Sequence, residues 1–443
     1  MYRFLGALAP ALALALVGCG GGGGGNSAPP PTSGGGTPAP SPSPSPSPTP
    51  TATPTPTGNM SFPHVFGVEA GALGRGIAPL LLASDGFMYG QAQVTARECG
   101  PDLVPCGAIF RYSKADGLST FYTYGATPED GFLLSGPLIQ GSDGALYGAT
   151  ISGGANRGGG TLFRITLGGE FTRLHSFGAD KFDGDSPIGG LVEGSDGNFY
   201  GVTSSGGVNT CPEIPSGEGN CGTAFRMTPE GDVTLLHSFG SGPDDGVSPQ
   251  GPLVEAADGN FYGATSMGGE YGDGTFFRMT PAGNVTTIHS FGRVIEDGQT
   301  PTGGLLLARD GTIFGATIGG KNTVFQYSPA TGVFSILYRF RATSGINDGS
   351  GAQGYLLEDA DGSLVGVTIN GGSLEGGTLY RLTRAGQHTE LFAFGPFLQK
   401  PARPEDGVIV GPDGALYGIT SDNGELGATA DFGGNGTLFR FAE

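Results

Sequence analysis

The sequence contains no tryptophan, and only five histidines, five cysteines and six methionines among 443 residues. The missing tryptophan argues against the WD class of propeller repeat, whose signature dipeptide requires it. Basic residues are also scarce: 21 Lys and Arg stand against 40 Asp and Glu, a formal net charge of −19. Such a chain repels nucleic-acid phosphates rather than neutralising them, which excludes nucleic acid as a partner. The N-terminal apolar run, Leu5–Val17, has thirteen residues and is interrupted by Gly6 and Pro10, too short to span a bilayer. Two common catalytic signatures, Gly-x-Ser-x-Gly and His-Glu-x-x-His, are absent as well. No cofactor is implied.

What the sequence has in excess is glycine, 88 residues, and proline, 33. The prolines crowd the N-terminus. There Arg3 precedes the apolar run, which suits the core of a secretory signal. The run ends in Leu16-Val17-Gly18-Cys19, which resembles the bacterial lipobox. That resemblance implies lipid on Cys19 and cleavage before it, with 1–19 as signal peptide. Gly20 stands where a retention signal would place Asp, so the outer membrane is the expected destination in a cell that has one. An ordinary signal peptide with an incidental cysteine is the alternative. Residues 20–59, Gly-rich and then Ser-Pro and Thr-Pro repeats, supply no core and read as a disordered tether. In polyproline conformation Ser41–Thr57 would reach about 50 Å.

From residue 60 to 443 glycine marks turns instead. Seven Asp-Gly pairs, at Asp85, Asp143, Asp196, Asp258, Asp310, Asp361 and Asp413, each join two short apolar runs, as in Leu191-Val192-Glu193-Gly194-Ser195-Asp196-Gly197-Asn198-Phe199-Tyr200-Gly201. Asp-Gly between such runs is a strong hairpin signal. Successive intervals of 58, 53, 62, 52, 51 and 52 residues define a repeat. Each repeat also carries a run like Gly160–Thr166 and an outer strand like Leu174–Phe177, giving four antiparallel strands, A to D, the pattern of a propeller blade. Seven hairpins and seven C strands meet only six following D strands, and the seventh D-like segment, Phe62–Gly67, precedes the first hairpin. The expected fold is therefore all-β: a seven-bladed β-propeller of four-stranded antiparallel blades, closed by the N-terminal strand joining the last blade.

The phrases Leu191–Gly207 and Gly222–Gly240 resemble the gloeo/verruco tandem repeat of GloVer-containing bacterial surface proteins, and the resemblance holds in every repeat over about residues 60–443. It implies a fold and a surface location. It brings no reaction with it.

In such a ring the A–B and C–D turns share one face, and the B–C and D–A loops share the other. The turns are short; the variable lengths fall in the B–C loops 91–106, 204–221 and 421–435. Binding is expected on the loop face. Cys99 with Cys106, and Cys211 with Cys221, lie within B–C insertions and read as local disulfides in an oxidising exterior, with zinc as the rival. Asp130, Asp183, Asp245, Asp297, Asp348 and Asp406 form a second Asp-Gly series and a candidate acidic binding face. Five of them precede a hairpin Asp by 13 residues, and Asp406 precedes Asp413 by 7. The alternative is that each accepts a backbone N–H within its own turn. Asp180, Asp183 and Asp185 are a Ca²⁺ candidate without the full EF-type spacing; no other metal site is indicated.

His64, His175, His237 and His289 share a D-strand slot with Tyr122, Tyr338 and Phe392, which reads as a packing position, while His388 lies next to a turn. Arg111, Arg164, Arg226, Arg278, Arg381 and Arg440 repeat at one C-strand position, with Gln326 in the odd blade, and are expected to bind carbonyls or carboxylates between blades. No catalytic residue is assigned. The leading expectation is a lipid-anchored, monomeric binding module for a glycan or an envelope protein. An extracellular polysaccharide hydrolase or lyase needs only two suitably spaced carboxylates and no motif. A purely structural envelope protein is the third reading.

Overall fold

The computed structural model describes residues 58–443 except 68–72, 77–78, 100–103, 126–129, 157, 181, 212–220, 344–345, 396–400 and 423–435. The expected signal peptide, Cys19 and tether lie outside the described residues. Among the described residues no helix is long and apolar enough to cross a membrane.

Seven antiparallel sheets form the seven blades of a propeller. Blade 3 shows the plan: A is Asp185–Glu193, B Phe199–Ser205, C Thr223–Met227 and D Val233–Ser238, hydrogen-bonded in that order. In blades 1, 5 and 6 strand A is broken into two pieces, such as Gln299–Pro301 and Leu306–Leu307. Blade 7 takes A, B and C from Ala402–Val410, Leu416–Asp422 and Thr437–Ala442, and its D strand from Asn59–Val65. Asn59 faces Ala442 and Val65 faces Thr437, so the first described strand completes the last blade. A barrel-like closure of this kind removes the free sheet edges that invite aggregation.

Strand alternation sends one face of each blade to the preceding blade and one to the next, so the apolar core lies between blades. Tyr200 and Val202 of blade 3, for instance, cluster with Leu253, Phe261 and Phe277 of blade 4. Around the axis the A strands approach backbone to backbone: a Cβ on Gly189 would collide with the backbone of Gly251 in the next blade. Strand A also turns its N–H groups sideways. Ser186, Ser248, Thr300 and Arg403 hold the left-handed conformation, with φ of 58, 55, 52 and 57°. Each thereby donates its N–H to a B–C carbonyl of the preceding blade, Gly159, Cys221, Asp273 and Gly376, at 2.7–2.9 Å. Four residues of unlike type share this unfavourable backbone because the neighbouring blade requires it.

A second seam contact lies on the turn face. The last residue of strand A clasps the residue before the Asp-Gly pair of the preceding blade. Glu255 accepts from the N–H and the hydroxyl of Ser195, both at 2.6 Å, and Glu193 accepts from the N–H and hydroxyl of Ser142 at 2.7 and 2.5 Å. Gln140 accepts from the Ser84 N–H and donates to its hydroxyl, and Glu358 accepts from the Arg309 N–H. In the remaining seams both positions change together: Ala257 faces Leu307, Ala360 faces Val410 and Pro412 faces Leu82.

Within each blade the hairpin Asp is the anchor. All seven accept from the N–H two residues on, at 2.8–3.3 Å. Where a Tyr stands at the fourth position beyond, its hydroxyl donates to the same carboxylate, as Tyr200 does to Asp196 at 2.9 Å. Two C-strand arginines join this group from within the blade, Arg164 reaching Asp143 at 2.6 Å and Arg440 reaching Asp413 at 2.8 Å, and Arg381 reaches Asp359 of its own blade at 2.6 Å. That corrects the expectation of an inter-blade role. Arg381 also crosses a seam, to Glu443 at 2.6 Å. Strands B and C are pinned by buried Thr pairs such as Thr203 and Thr223, 2.7 Å between hydroxyls, repeated in blades 2 to 7. Blade 1 replaces both partners, with Ala92 opposite Ala108.

Removing Asn59–Val65 leaves the C strand of blade 7 as an open edge and exposes Phe441. The expected result is a thermal midpoint lowered by more than about 10 °C; calorimetry showing an unchanged midpoint contradicts closure by this strand.

Candidate functional site

The loop face is built on the D–A connections. In three of them a D-strand histidine bonds the Asp eight residues on: His175 to Asp183 at 2.6 Å, His237 to Asp245 at 3.1 Å and His289 to Asp297 at 3.0 Å. Tyr338 uses its hydroxyl on Asp348 in the same way. The histidine slot is therefore a hydrogen-bonding position as well as a packing one. Its ring is stacked from the other side by the next blade, His289 on Phe334 at 3.9 Å and Tyr338 on His388 at 5.1 Å. The same carboxylates accept N–H groups of their own loops, Ala179 to Asp183, Ser241 to Asp245 and Arg341 to Asp348, at 2.5–3.0 Å. The glycine that follows has a reason too. A Cβ on Gly184 would lie 2.9 Å from the Thr223 hydroxyl, so the loop seats a bare backbone on the buried Thr pair.

These contacts place the expected acidic face. Asp183, Asp245, Asp297 and Asp348 point inward to their D strands and hold the loops in shape. Asp130 also has partners, and its charge raises the Tyr122 hydroxyl behind the effect of burial. Asp406 differs. It lies on strand A of blade 7 with φ of 61°, in the register position that Gly189 occupies in blade 3. The Ca²⁺ candidate does not assemble: Asp180 accepts the Phe182 N–H, Asp183 holds His175 and Asp185 accepts the Ser186 hydroxyl. Among the described residues no group of three or more His, Cys, Asp or Glu is placed to hold a metal.

Cys211 and Cys221 form the expected disulfide, with 5.5 Å between Cα atoms. It packs beneath Gly240 of the D–A loop and ties the blade 3 insertion to the frame. Cys106 is disulfide-bonded as well, while the side chain of Cys99 lies outside the described residues. Gly315–Lys321 spells Gly-x-x-x-x-Gly-Lys, but Asn322 follows, and most of the stretch belongs to strand Ile313–Gly319. With strands paired on both its sides, that backbone cannot cradle a phosphate.

Among charged and polar residues such as Asp244, Glu270 and Arg293, the loop face exposes large apolar side chains. Phe182 is 55% exposed, Val294 54%, Ile295 58%, Val208 45%, Ile318 and Leu374 43% and Tyr271 39%. All seven lie on B–C or D–A connections or on the strand end leading into one. The Lys321 N–H donates to the Ile295 carbonyl at 3.1 Å, which brings the Ile318 strand end beside Val294 and Ile295. Two recesses flank the loop between blades 3 and 4. One, of about 550 Å³, is lined by His237, Asp244, Asp245, Glu270, Val285 and Ile288. The other, of about 350 Å³, lies beside Cys211, Val247 and Met267. Composition and period reveal none of these apolar tips. They stand out only once the loops are known to face water.

The titratable groups respond to acid in one direction. Burial alone would raise Asp245, but the His237 bond and the Ser241 N–H hold it below its ordinary 3.8. Asp143, Asp196, Asp258 and Asp413 are likewise lowered by bonds that outweigh burial, and Asp310 and Asp361 chiefly by the bonds themselves. His64, His289 and His388 fall below their ordinary 6.5 because burial disfavours the imidazolium.

A family match completes the description. The family model of the Gloeobacter/Verrucomicrobia repeat matches residues 52–214 and 210–439. No curated protein matches the chain. Among solved structures, an oligogalacturonate lyase of Vibrio parahaemolyticus is 12% identical over 87% of this chain and 98% of its own, with a TM-score of 0.49. The extracellular domain assigned to a one-component system of B. thetaiotaomicron is 12% identical with a TM-score of 0.48; the match spans 84% of this chain and 40% of that one. A protein of unknown function from Bacteroides thetaiotaomicron is 14% identical over 87% and 76% of the two chains, with a TM-score of 0.45. Likenesses this remote carry no argument about chemistry.

Every shifted carboxylate favours the ionised form when folded, so its contribution is present above about pH 3.8 and lost as pH falls through the lower folded value. The histidines favour the neutral form, present above about pH 6.5 and lost below it. The thermal midpoint is expected to fall from pH 7 to 5 and again below about pH 4, and His388→Phe to flatten the first step. A midpoint that rises between pH 7 and 5 contradicts the assignment.

Proposed function

The chain belongs to the Gloeobacter/Verrucomicrobia repeat family, and on that premise we propose that it is a surface-tethered propeller binding another envelope component through its loop face. One observation carries the reading: the seven apolar tips of that face and Val65, at the end of the blade 7 D strand, make eight of the eleven exposed large hydrophobic side chains among the described residues. Apolar side chains held out on rigid loops are what an interface core requires. Asp183, Asp245, Asp297 and Asp348, the repeated carboxylates of the loop face, are engaged by His or Tyr of their own blades. Five of the seven apolar tips are aliphatic. Sugar rings stack on aromatic faces, whereas branched aliphatics pack into protein pockets, so the partner is a protein. The net charge of −19 calls for a partner whose rim is basic.

The chain's direction agrees. Gly58 and Asn59 enter the ring on the turn face, because Asn59 pairs with the C-terminal end of the blade 7 C strand. A lipid on Cys19 would thus be joined through the tether to the turn-face end of strand Asn59–Val65. A monomer meets this need, with no cofactor and no metal.

A photo-crosslinking side chain at Phe182 or Ile295, in cells displaying the full chain, should give a discrete protein adduct; one at Asp116 or Val333 on the turn face should not. Phe182→Asp combined with Ile295→Asp should lower capture by more than about tenfold with an unchanged thermal midpoint. Adducts from the turn face alone contradict the proposal, as does polysaccharide turnover without any loop-face adduct. Glycan-array binding lost in the same double variant would replace the protein partner with a sugar.

A further inference from the structure

We infer that blade 7 is the gate of the ring, the blade that parts from its neighbours before any other does. The inference starts from the seam clasps. Blades 2 and 3 are clasped on both sides, through Ser84 with Gln140, Ser142 with Glu193 and Ser195 with Glu255. Blade 4 is clasped to blade 3, blade 5 to blade 6. Blade 7 has the clasp on neither side. Toward blade 6 its strand A ends in Val410 opposite Ala360. Toward blade 1 its turn residue is Pro412, which has no N–H to donate, opposite Leu82.

An apolar pair can stand in for a polar one when it is buried. This one is not: Val410 is 42% and Leu82 39% exposed. The seam between blades 6 and 7 instead opens on the turn face into a recess of about 380 Å³, lined in part by Ala360, Arg381, Val410, Phe441 and Glu443. Beside apolar packing such as Tyr112 on Tyr417, ion pairs are the charged contacts that cross these two seams on the turn face. Arg381 meets Glu443 at 2.6 Å, with side chains 24% and 48% exposed. Lys114 meets Asp413 at 3.5 Å, the lysine 71% exposed. The buried Arg381 Nε has no partner. Exposed pairs of this kind weaken with salt, whereas a clasp to a backbone N–H is held by geometry and proximity to the frame. Blade 7 also receives the chain from its N-terminal side through Asn59–Val65, so a load on the tether acts on the blade that is least held.

Hydrogen exchange on the full chain tests this. Amides of 402–422, 437–442 and 59–65 are expected to exchange about tenfold faster than those of blades 2 and 3 at low salt, and the gap to widen near 1 M salt, where ion pairs are screened. Ala360→Ser with Val410→Glu installs the missing clasp and should slow blade 7 exchange by about tenfold; Glu443→Gln should accelerate it. Blade 7 amides protected as well as those of blades 2 and 3 overturn the inference, whatever the variants do. So does a folded double variant, its midpoint not lowered, in which blade 7 still exchanges at the original rate.

Discussion

A ring of wedge-shaped sheets is only as good as its seams, and here four of the seven carry a two-residue clasp while the other three change both positions. The carboxylate or amide that ends one strand A takes the N–H and hydroxyl of the residue before the neighbouring Asp-Gly turn. Removing one partner leaves a donor or a charge without its bond, which costs more than the bond contributes; changing both avoids that cost. The seven internal copies behave accordingly. Ser or Arg before the turn always faces Glu or Gln, and Ala or Pro always faces Leu or Val. The Thr pair that pins strands B and C obeys the same logic, since blade 1 exchanges both for Ala92 and Ala108. The D-strand slot obeys it in part: Phe392, which cannot bond a carboxylate, is followed by no Asp eight residues on, but neither is His64.

Much of this frame could be read before any coordinate. The Asp-Gly period, the four strands per repeat and the closure by Phe62–Gly67 follow from spacing, because a hairpin turn and a strand are local objects. The seams were not legible in that way. Glu255 and Ser195 are 60 residues apart, and nothing local says that one blade's strand end abuts another's turn. The His–Asp contacts did leave a signal, the constant spacing of eight residues between the slot and the second Asp-Gly. Treating the slot as packing and the Asp as a binding face kept the two halves apart. Asp406 shares only its Gly neighbour with that series, and its distance from Asp413 sets it apart.

These facts decide where function can reside. The hairpin Asp residues anchor their turns, and Asp183, Asp245, Asp297 and Asp348 anchor their loops. What varies between blades and reaches solvent is a set of apolar tips, Phe182, Tyr271, Ile295 and their neighbours, held on loops that are themselves bonded to the outer strands. A frame that repeats and a rim that does not is the arrangement expected of a recognition surface.

The matched clasp is the claim on which this description rests, and a double-mutant cycle at the seam of blades 3 and 4 tests it most directly. Ser195→Ala and Glu255→Leu reproduce together the pair found at Ala257 and Leu307. The account predicts that each change alone lowers unfolding stability by about 1 kcal/mol and that the double variant recovers most of it. Strictly additive losses would contradict it.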